Sequence, residues 1–174
     1  MTDKQARARL RAGTTRQITS DGGDGHVVRM SRRYAAPAAD VWDAWTNPER
    51  AARWLGAVSG ELREGGEALL VMSDDVTVPC RITVCDPPRR LAVTWCHPGE
   101  PRSAAEIRLR EDAEGTVLEL EHARLRADDA VGYGYGWEDF LDRLAALLAG
   151  EDPDAVSWAE SQRTLKPLWS AQLS

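Results

Sequence analysis

The sequence predicts an α+β domain in which a curved antiparallel sheet wraps around one long C-terminal helix, and two short helices follow the first strand. Three observations predict it. Five short runs rich in β-branched and apolar residues follow one another with turn residues between them. A run at 136–150 repeats apolar residues at helical spacing. Residues 40–56 contain an Asn-Pro break of the kind that separates two short helices.

The length of the chain indicates the number of domains, and its charge limits the partners that it can be expected to bind. The 174 residues fit one domain, and 22 Lys plus Arg against 28 Asp plus Glu give a formal net charge of -6. That balance does not indicate a nucleic-acid-binding protein. Basic residues crowd the N-terminus, where they predict a solvated, poorly ordered tail or, as the alternative, an arm for an anionic partner. These residues are Lys4, Arg7, Arg9, Arg11 and Arg16.

The spacing of the cysteines and the lengths of the apolar runs indicate the cellular location that we expect for the protein. Cys80, Cys85 and Cys96 are odd in number and lack CxxC spacing, so we expect reduced, buried thiols instead of disulfides or a metal site. No stretch approaches the roughly 20 apolar residues of a membrane span. The N-terminus has no apolar signal-peptide core. We therefore expect a cytoplasmic protein with no membrane span.

The first elements are a hairpin and two short helices. Residues 14–34 contain two strand-like runs around the turn cluster SDGGDG. Pro37 ends the second strand and can open a helix. Asn47 is a natural N-cap and Pro48 a natural first helical residue, so a second helix begins there and ends at Gly56. The tryptophans expected to anchor these helices are Trp42, Trp45 and Trp54.

The five apolar runs predict an antiparallel meander. They lie at 67–73, 80–86, 90–96, 105–111 and 116–123. Alternation along each run places apolar side chains on one face, which must be covered. The residues assigned to that face include Ile82, Val84, Ile107, Leu109, Leu118, Leu120 and His122.

The run at 136–150 is the predicted cover. Its apolar residues share one helical face, whereas its charged residues, Glu138, Asp139, Asp142 and Arg143, are expected to face away. Because a straight helix touches a strongly curved sheet only along a stripe, we expect a wedge of space beneath it. A further helix is predicted from Pro153 to about Leu165, which either docks on the domain or meets a partner.

The sequence resembles the START-like, or SRPBCC, superfamily, whose fold is the helix-grip (START-like, Bet v-like) fold, and within it the branch of heat-shock protein 90 ATPase activator homologues. Five pieces in the family's order carry the resemblance over roughly residues 26–150. They are APAADVWDAWTNPERAARWLG, ELREGG, DPPRRLAVTW, GTVLELEHA and GWEDFLDRLAALL. The resemblance implies a domain at 26–150, between a basic tail with a possible short strand at 1–25 and a C-terminal extension, expected to be a docked helix, at 151–174.

The resemblance further implies a hydrophobic cavity between the long helix and the sheet, which the superfamily uses for apolar small molecules. The chain departs from relatives at Val78-Pro79-Cys80 and after His122, where a glycine-tyrosine alternation replaces the usual turn. Each residue of the predicted lining is equally compatible with ordinary core packing. The lining consists of Met72, Ile82, Trp95, Leu109, Leu118, Leu120, His122, Tyr133, Tyr135, Trp137, Phe140, Leu141 and Leu144.

Four polar residues on this lining or beside it have both a functional and a structural interpretation. His122 on the covered face is a candidate acid, base or ligand donor, or a hydrogen-bonded histidine at a cavity rim. Arg32, which shares parity with Met30 and Tyr34, either holds a ligand carboxylate or has a structural role, in which it bridges an internal acid or reaches the sheet edge. Tyr133 and Tyr135 lie in a glycine-rich segment that is either an entrance gate or a simple turn.

Three functions follow from these patterns. The first is a small-molecule-binding protein for an apolar, ring-containing or acyl ligand. The second is a cyclase or aromatase-like enzyme that uses the same cavity, for which His122 is the only catalytic candidate. The third is a co-chaperone-like interaction module, which the short segment before the match does not favour. A homodimer through the extension remains open because of Trp158, Leu165, Leu168 and Trp169.

Absent motifs restrict the chemistry. The sequence has no GxSxG, HExxH, P-loop or dinucleotide-binding glycine pattern. His26, His97 and His122 are too scattered to predict a metal triad. We therefore expect no cofactor, no metal and no covalent nucleophile.

Overall fold

Eight antiparallel strands form one sheet in the computed structural model, which describes residues 2–173. Their order across the sheet is β1-β2-β8-β7-β6-β5-β4-β3. Strands that are consecutive in the chain are neighbours, except that β2 pairs with β8 and so joins the two ends of the domain. The strands are β1 Thr15–Ser20, β2 His26–Tyr34, β3 Ala57–Gly60, β4 Glu67–Ser73, β5 Val76–Asp86, β6 Arg90–Trp95, β7 Ser103–Asp112 and β8 Gly115–Leu125.

Five α-helices accompany the sheet. They are α1 Asp3–Ala12, α2 Ala38–Thr46, α3 Pro48–Ala51, α4 Ala127–Leu148 and α5 Trp158–Ser170, and a 3-10 turn follows at Ala171–Leu173. The long helix α4 packs against β1, β2 and β8, and α5 packs on α4. This arrangement confirms the predicted α+β helix-grip fold.

The core lies between α4 and one face of the sheet. Leu118 and Leu120 of β8 are buried, as are Ile107 and Leu109 of β7, which confirms the alternation predicted for these strands. In β5, Ile82 is buried but Val84 is only partly so, because the pairing with β6 shifts register between these two residues.

The N-terminal segment is a helix, so the expectation of a poorly ordered tail is wrong for residues 3–12. Thr2 caps α1, and Gln5 completes a capping box with it. The Arg7 side chain is buried and its Nη2 donates to the carbonyl oxygen of Pro153, 3.4 Å away. Of the basic residues that suggested a solvated arm, Arg7 therefore holds α1 against the segment before α5, whereas Lys4 and Arg9 are exposed.

The helix α4 begins at Ala127, nine residues before the predicted start at 136. The glycine-tyrosine alternation is therefore helical, and the prediction of a loosened entrance loop carrying Tyr133 and Tyr135 is wrong. Glycine lowers helix propensity, but tertiary contacts override it here. Gly134 packs so closely on the indole of Trp169 that an added Cβ would lie 2.3 Å from its ring.

The acidic residues of α4 are buried, against the prediction that they face away. Glu138, Asp139 and Asp142 are each at most 2% exposed. Helices α1 and α5 cover this side of α4, so the helix is enclosed by the sheet on one side and by helices on the other. Only Arg143 of the four charged residues retains partial exposure.

The short helical pieces also differ in length from the prediction. Helix α3 ends at Ala51, and turns lead from there to the unpredicted strand β3. Trp54 in these turns is fully buried, donates from Nε1 to the carbonyl oxygen of Ala44, and meets Trp45 edge to face at 4.7 Å between ring centroids. These contacts support the interpretation of Trp45 and Trp54 as structural anchors.

The three cysteine side chains differ in burial. All three cysteines are free thiols, but only Cys80 is buried, and burial raises its pKa to about 12. Cys85 and Cys96 are partly exposed, which corrects the expectation for them.

Within residues 2–173, no helix is long and apolar enough to cross a membrane. The cytoplasmic location stays a prediction.

Candidate functional site

An open groove of about 850 Å³ runs along the N-terminal half of α4. Its opposite wall comes from the turns after α3 and from the hairpin that joins β4 to β5. Aromatic rings dominate its lining: Trp54, Trp95, Tyr133, Trp137, Phe140 and Trp158. A volume of this size and an aromatic lining are typical of small-molecule sites.

Two glycines keep the α4 wall of the groove open. Gly132 and Gly136 are one turn apart and both line the groove. An added Cβ at either position would find its nearest neighbour at 4.0 Å, so neither glycine is required by packing. Gly134, on the opposite side of the helix, is required by its contact with Trp169. The alternation thus opens the groove on one face and seats α5 on the other.

A smaller apolar cavity of about 80 Å³ lies deeper, between the sheet and the helices. It shares Leu55, Trp95 and Trp137 with the groove, so the two spaces adjoin at these residues. Trp45 also lines the inner cavity, and its Nε1 is buried without a hydrogen-bond partner among the described residues. A buried indole N–H without an acceptor is rare in folded proteins.

The structure divides the predicted lining into four groups. Met72, Trp95, Tyr133, Trp137 and Phe140 line the groove. The inner cavity is lined by Ile82 and Leu120, together with Trp95 and Trp137. The packed core contains Leu109, Leu118, Leu141 and Leu144, which line neither space. Tyr135 stands outside the groove lining, where its ring meets that of Trp158 at 5.7 Å, and His122 lies behind Trp137.

His122 is a hydrogen-bonded core histidine. Its Nδ1 accepts from Trp137 Nε1 at 2.9 Å, so its Nε2 carries the proton and donates to Ser103 Oγ at 2.8 Å. Burial lowers its pKa to about 3. The ring lines neither the groove nor the inner cavity. This geometry positions Trp137 and gives no support to His122 as an acid or base at neutral pH.

The polar end of the groove is built around Tyr133. Its hydroxyl accepts from Trp95 Nε1 at 3.1 Å and donates to Glu100 Oε2 at 2.5 Å. His97 Nδ1 lies 3.3 Å from the other Glu100 oxygen. Burial raises the pKa of Tyr133, and its hydrogen bond to Glu100 adds to the shift. The tyrosine stays protonated and ties the β6–β7 loop to α4.

Arg32 bridges internal acids, which is one of the two interpretations of the sequence. Its Nη1 lies 2.7 Å from Asp142 Oδ1, its Nη2 lies 3.7 Å from Glu138 Oε1, and its Nε donates to Thr14 at 3.1 Å. The residue is 2% exposed and lines neither the groove nor the inner cavity. It therefore has a structural role in this arrangement.

Several groove residues were missed by the sequence interpretation. Trp158 was assigned only to a possible partner surface, and Trp54 only to packing. Glu100 lies in a turn with no periodic pattern, and Asp139 was placed on a solvated face. Each reaches the groove only because separate segments converge there, so no local signal could have identified it.

Comparison with known proteins relates this geometry to a family. The family model described as "Activator of Hsp90 ATPase homolog 1-like protein" matches residues 35–149. CalU16 from Micromonospora echinospora is 34% identical, and the match covers 92% of this chain and 98% of that chain with a TM-score of 0.75 in its crystal structure.

Two further solved structures are similar to this chain at lower sequence identity. DynU16, a protein of the dynemicin biosynthetic locus, is 27% identical with a TM-score of 0.69; the match covers 75% of this chain but 49% of DynU16. EF2215 from Enterococcus faecalis is 18% identical, and the match covers 99% of this chain and 97% of that chain with a TM-score of 0.77. At this identity the similarity shows a shared fold alone. No curated protein matches in a sequence comparison. The matched residues and the likeness to CalU16 show that the chain belongs to the family of activator of Hsp90 ATPase homolog 1-like proteins, within the SRPBCC superfamily.

Proposed function

We propose that the protein binds an apolar, ring-containing small molecule in the groove along α4, with part of the ligand reaching toward the inner cavity. The observation that carries this proposal is the aromatic lining of an open space of about 850 Å³. Burial of a ligand ring against such a wall is favourable, because apolar area leaves water and stacked or edge-to-face contacts form.

Three features support this assignment over a purely structural interpretation of the groove. The space stays open although α4 could carry a Cβ at Gly132 and Gly136 without a clash. Trp45, which lines the inner cavity, has a buried indole N–H without an acceptor among the described residues. The family assignment supports a role in ligand binding, and the biosynthetic locus of DynU16 is compatible with a small organic ligand.

The experiment fills the groove by substitution. N-phenyl-1-naphthylamine, a neutral fluorescent probe, is titrated into the wild-type protein and into Gly132→Leu and Gly136→Leu variants. We expect probe affinity to fall about tenfold or more in the variants, because the added side chains occupy the space for the ring. Folding stability should hold or rise by about 0.5–1 kcal/mol, because glycine is replaced inside a helix.

Thr164→Leu is the matched control, since Thr164 is an exposed residue of α5 that lines no part of the groove. It should leave probe affinity unchanged. Equal affinity in the wild type and both glycine variants would remove the groove as the binding site. The cyclase, co-chaperone and homodimer hypotheses stay predictions, and no observation in the site favours them.

A further inference from the structure

We propose that the groove selects ligands by charge, and that it favours an aromatic molecule bearing a protonated amine over its neutral or anionic counterparts. This inference rests on the proposed function, because it concerns the ligand of the same groove. It is carried by two carboxylates at separate points of the wall and by the aromatic rings between them.

The charged residues of the groove are mostly acidic. Two guanidinium groups, of Arg53 and Arg143, face five carboxylates. These carboxylates belong to Glu100, Asp128, Asp129, Asp139 and Asp154. Arg143 is shared between Asp139 and Asp154, at 3.3 and 3.0 Å.

Asp128 and Asp129 have a structural explanation and do not carry the argument. Both lie in the first turn of α4, where the helix dipole favours acidic side chains. Asp129 is also paired with Arg126 at 2.5 Å. The inference depends on Glu100 and Asp139 instead.

Asp139 supplies an unused acceptor in the groove wall. The residue is 2% exposed, and its Oδ1 is buried without a hydrogen-bond partner among residues 2–173. Its other oxygen lies 3.3 Å from Arg143 Nε. Burial raises the pKa of this carboxyl, and Ser161, Arg143 and Arg7 oppose that rise. A ligand ammonium group that approached the groove wall here would add to their effect, because a nearby positive charge favours the ionised carboxylate.

Glu100 supplies an accessible acceptor at the other end. Its side chain is 22% exposed; the hydroxyl of Tyr133 donates to Oε2, and Oε1 lies 3.3 Å from His97 Nδ1. Tyr133 and Asp139 are six residues apart on α4, a rise of about 9 Å, which spans a two-ring aromatic system. Trp137 lies between them along the helix and Phe140 directly follows Asp139, so both rings line the groove close to these acids and can contribute cation–π contacts.

The test uses three naphthalenes of one shape: 2-naphthylmethylamine, which is protonated at neutral pH, 2-naphthylmethanol and 2-naphthoate. Their affinities are measured by NMR titration of the tryptophan indole signals at low salt. We expect the amine to bind about tenfold more tightly than the naphthoate, with the alcohol between them. The preference should shrink as salt is added, because the groove is open to solvent.

Two variants locate the effect. Glu100→Gln should reduce the amine preference about threefold or more and leave the alcohol unchanged. Glu119→Gln removes the same charge from an exposed residue on the opposite face of the sheet and should change neither affinity. Asp139→Asn is a second test of the wall, and unfolding curves show whether it folds.

The outcomes separate the two proposals. Binding of the alcohol with no preference for the amine, or an equal effect of Glu119→Gln and Glu100→Gln, overturns the charge selectivity and leaves the groove as a binding site. Failure of all three naphthalenes to bind removes both proposals.

Discussion

His122 shows how one side chain is fixed by its neighbours. Trp137 donates to one ring nitrogen and Ser103 accepts from the other, while the rings of Trp95 and Tyr133 lie 5.6 and 4.4 Å away between centroids. A charged imidazole has no carboxylate partner here, so burial disfavours protonation. The residue orients the indole of Trp137 in the groove wall and is best described as a positioning residue.

The low pKa of His122 makes folding stability depend on pH. The unfolded chain takes up a proton as the pH falls through about 6.5, whereas folded His122 stays neutral until about pH 3. This contribution is therefore fully present above pH 6.5 and is lost as the pH falls, by up to about 1.4 kcal/mol per pH unit. Urea unfolding at several pH values, compared between the wild type and His122→Gln, measures it. An imidazole that titrates near pH 6.5 in the folded protein, seen by NMR, would contradict this explanation.

At the scale of the element, α4 shows that three glycines in one helix have different roles. Gly132 and Gly136 face the open groove, and Gly134 faces α5. In the sequence alone, all three glycines lower the helix propensity of the segment equally, so the segment is predicted to be a loop. The helix forms because its remaining residues pack against the sheet on one side and against α5 on the other, where Arg11 of α1 also pairs with Asp142.

A matched pair of substitutions in α4 tests this division. Gly134→Ala should lower the free energy of unfolding by about 1–3 kcal/mol, because its Cβ would overlap the indole of Trp169. Gly136→Ala should raise it by about 0.5–1 kcal/mol, because alanine favours the helix and its Cβ meets nothing closer than 4.0 Å. Chemical denaturation of both variants measures the difference. Equal effects would show that Gly134 is not constrained by α5.

At the scale of the whole molecule, a buried ionic cluster joins the two ends of the chain to the sheet. The cluster consists of Arg11, Arg16, Arg32, Glu138 and Asp142, with Trp169 donating to Glu138 at 2.8 Å. Its members come from α1, β1, β2, α4 and α5. Each buried carboxylate accepts from at least two separate elements, so α1 and α5 are held as parts of one domain.

Removal of one acid should destabilise the whole fold. Asp142→Ala leaves Arg32 buried with only a more distant acid, and we expect a loss of about 3–5 kcal/mol in the free energy of unfolding. Asp112→Ala is the control, because it breaks the solvent-exposed pair with Arg33 and should change stability little. Urea unfolding followed by tryptophan fluorescence compares them. Similar losses in the two variants would show that the buried cluster adds no stability.

Sequence reasoning identified the elements whose signals are local or periodic. The alternation in β7 and β8 placed Leu109, Leu118, Leu120 and His122 on the covered face, and the Asn47-Pro48 pair located the start of α3. Five of the thirteen predicted lining residues reach the groove, because strand parity and helical spacing determine the side on which a residue lies. These signals do not determine how deep in the interface it lies, so Leu141 and Leu144 were indistinguishable from groove residues.

The sequence by itself therefore determined the α+β class, the order of seven of the eight strands along the chain and the family, since each depends on short patterns read in order. Only the tertiary structure decided that Glu138, Asp139 and Asp142 are buried, that the Gly-Tyr segment is helical and that Trp158 meets the groove. The physical reason is that a residue's environment depends on segments distant in sequence. Helices α1 and α5 bury the polar face of α4. The sequence of α4 alone contains no pattern that predicts this burial.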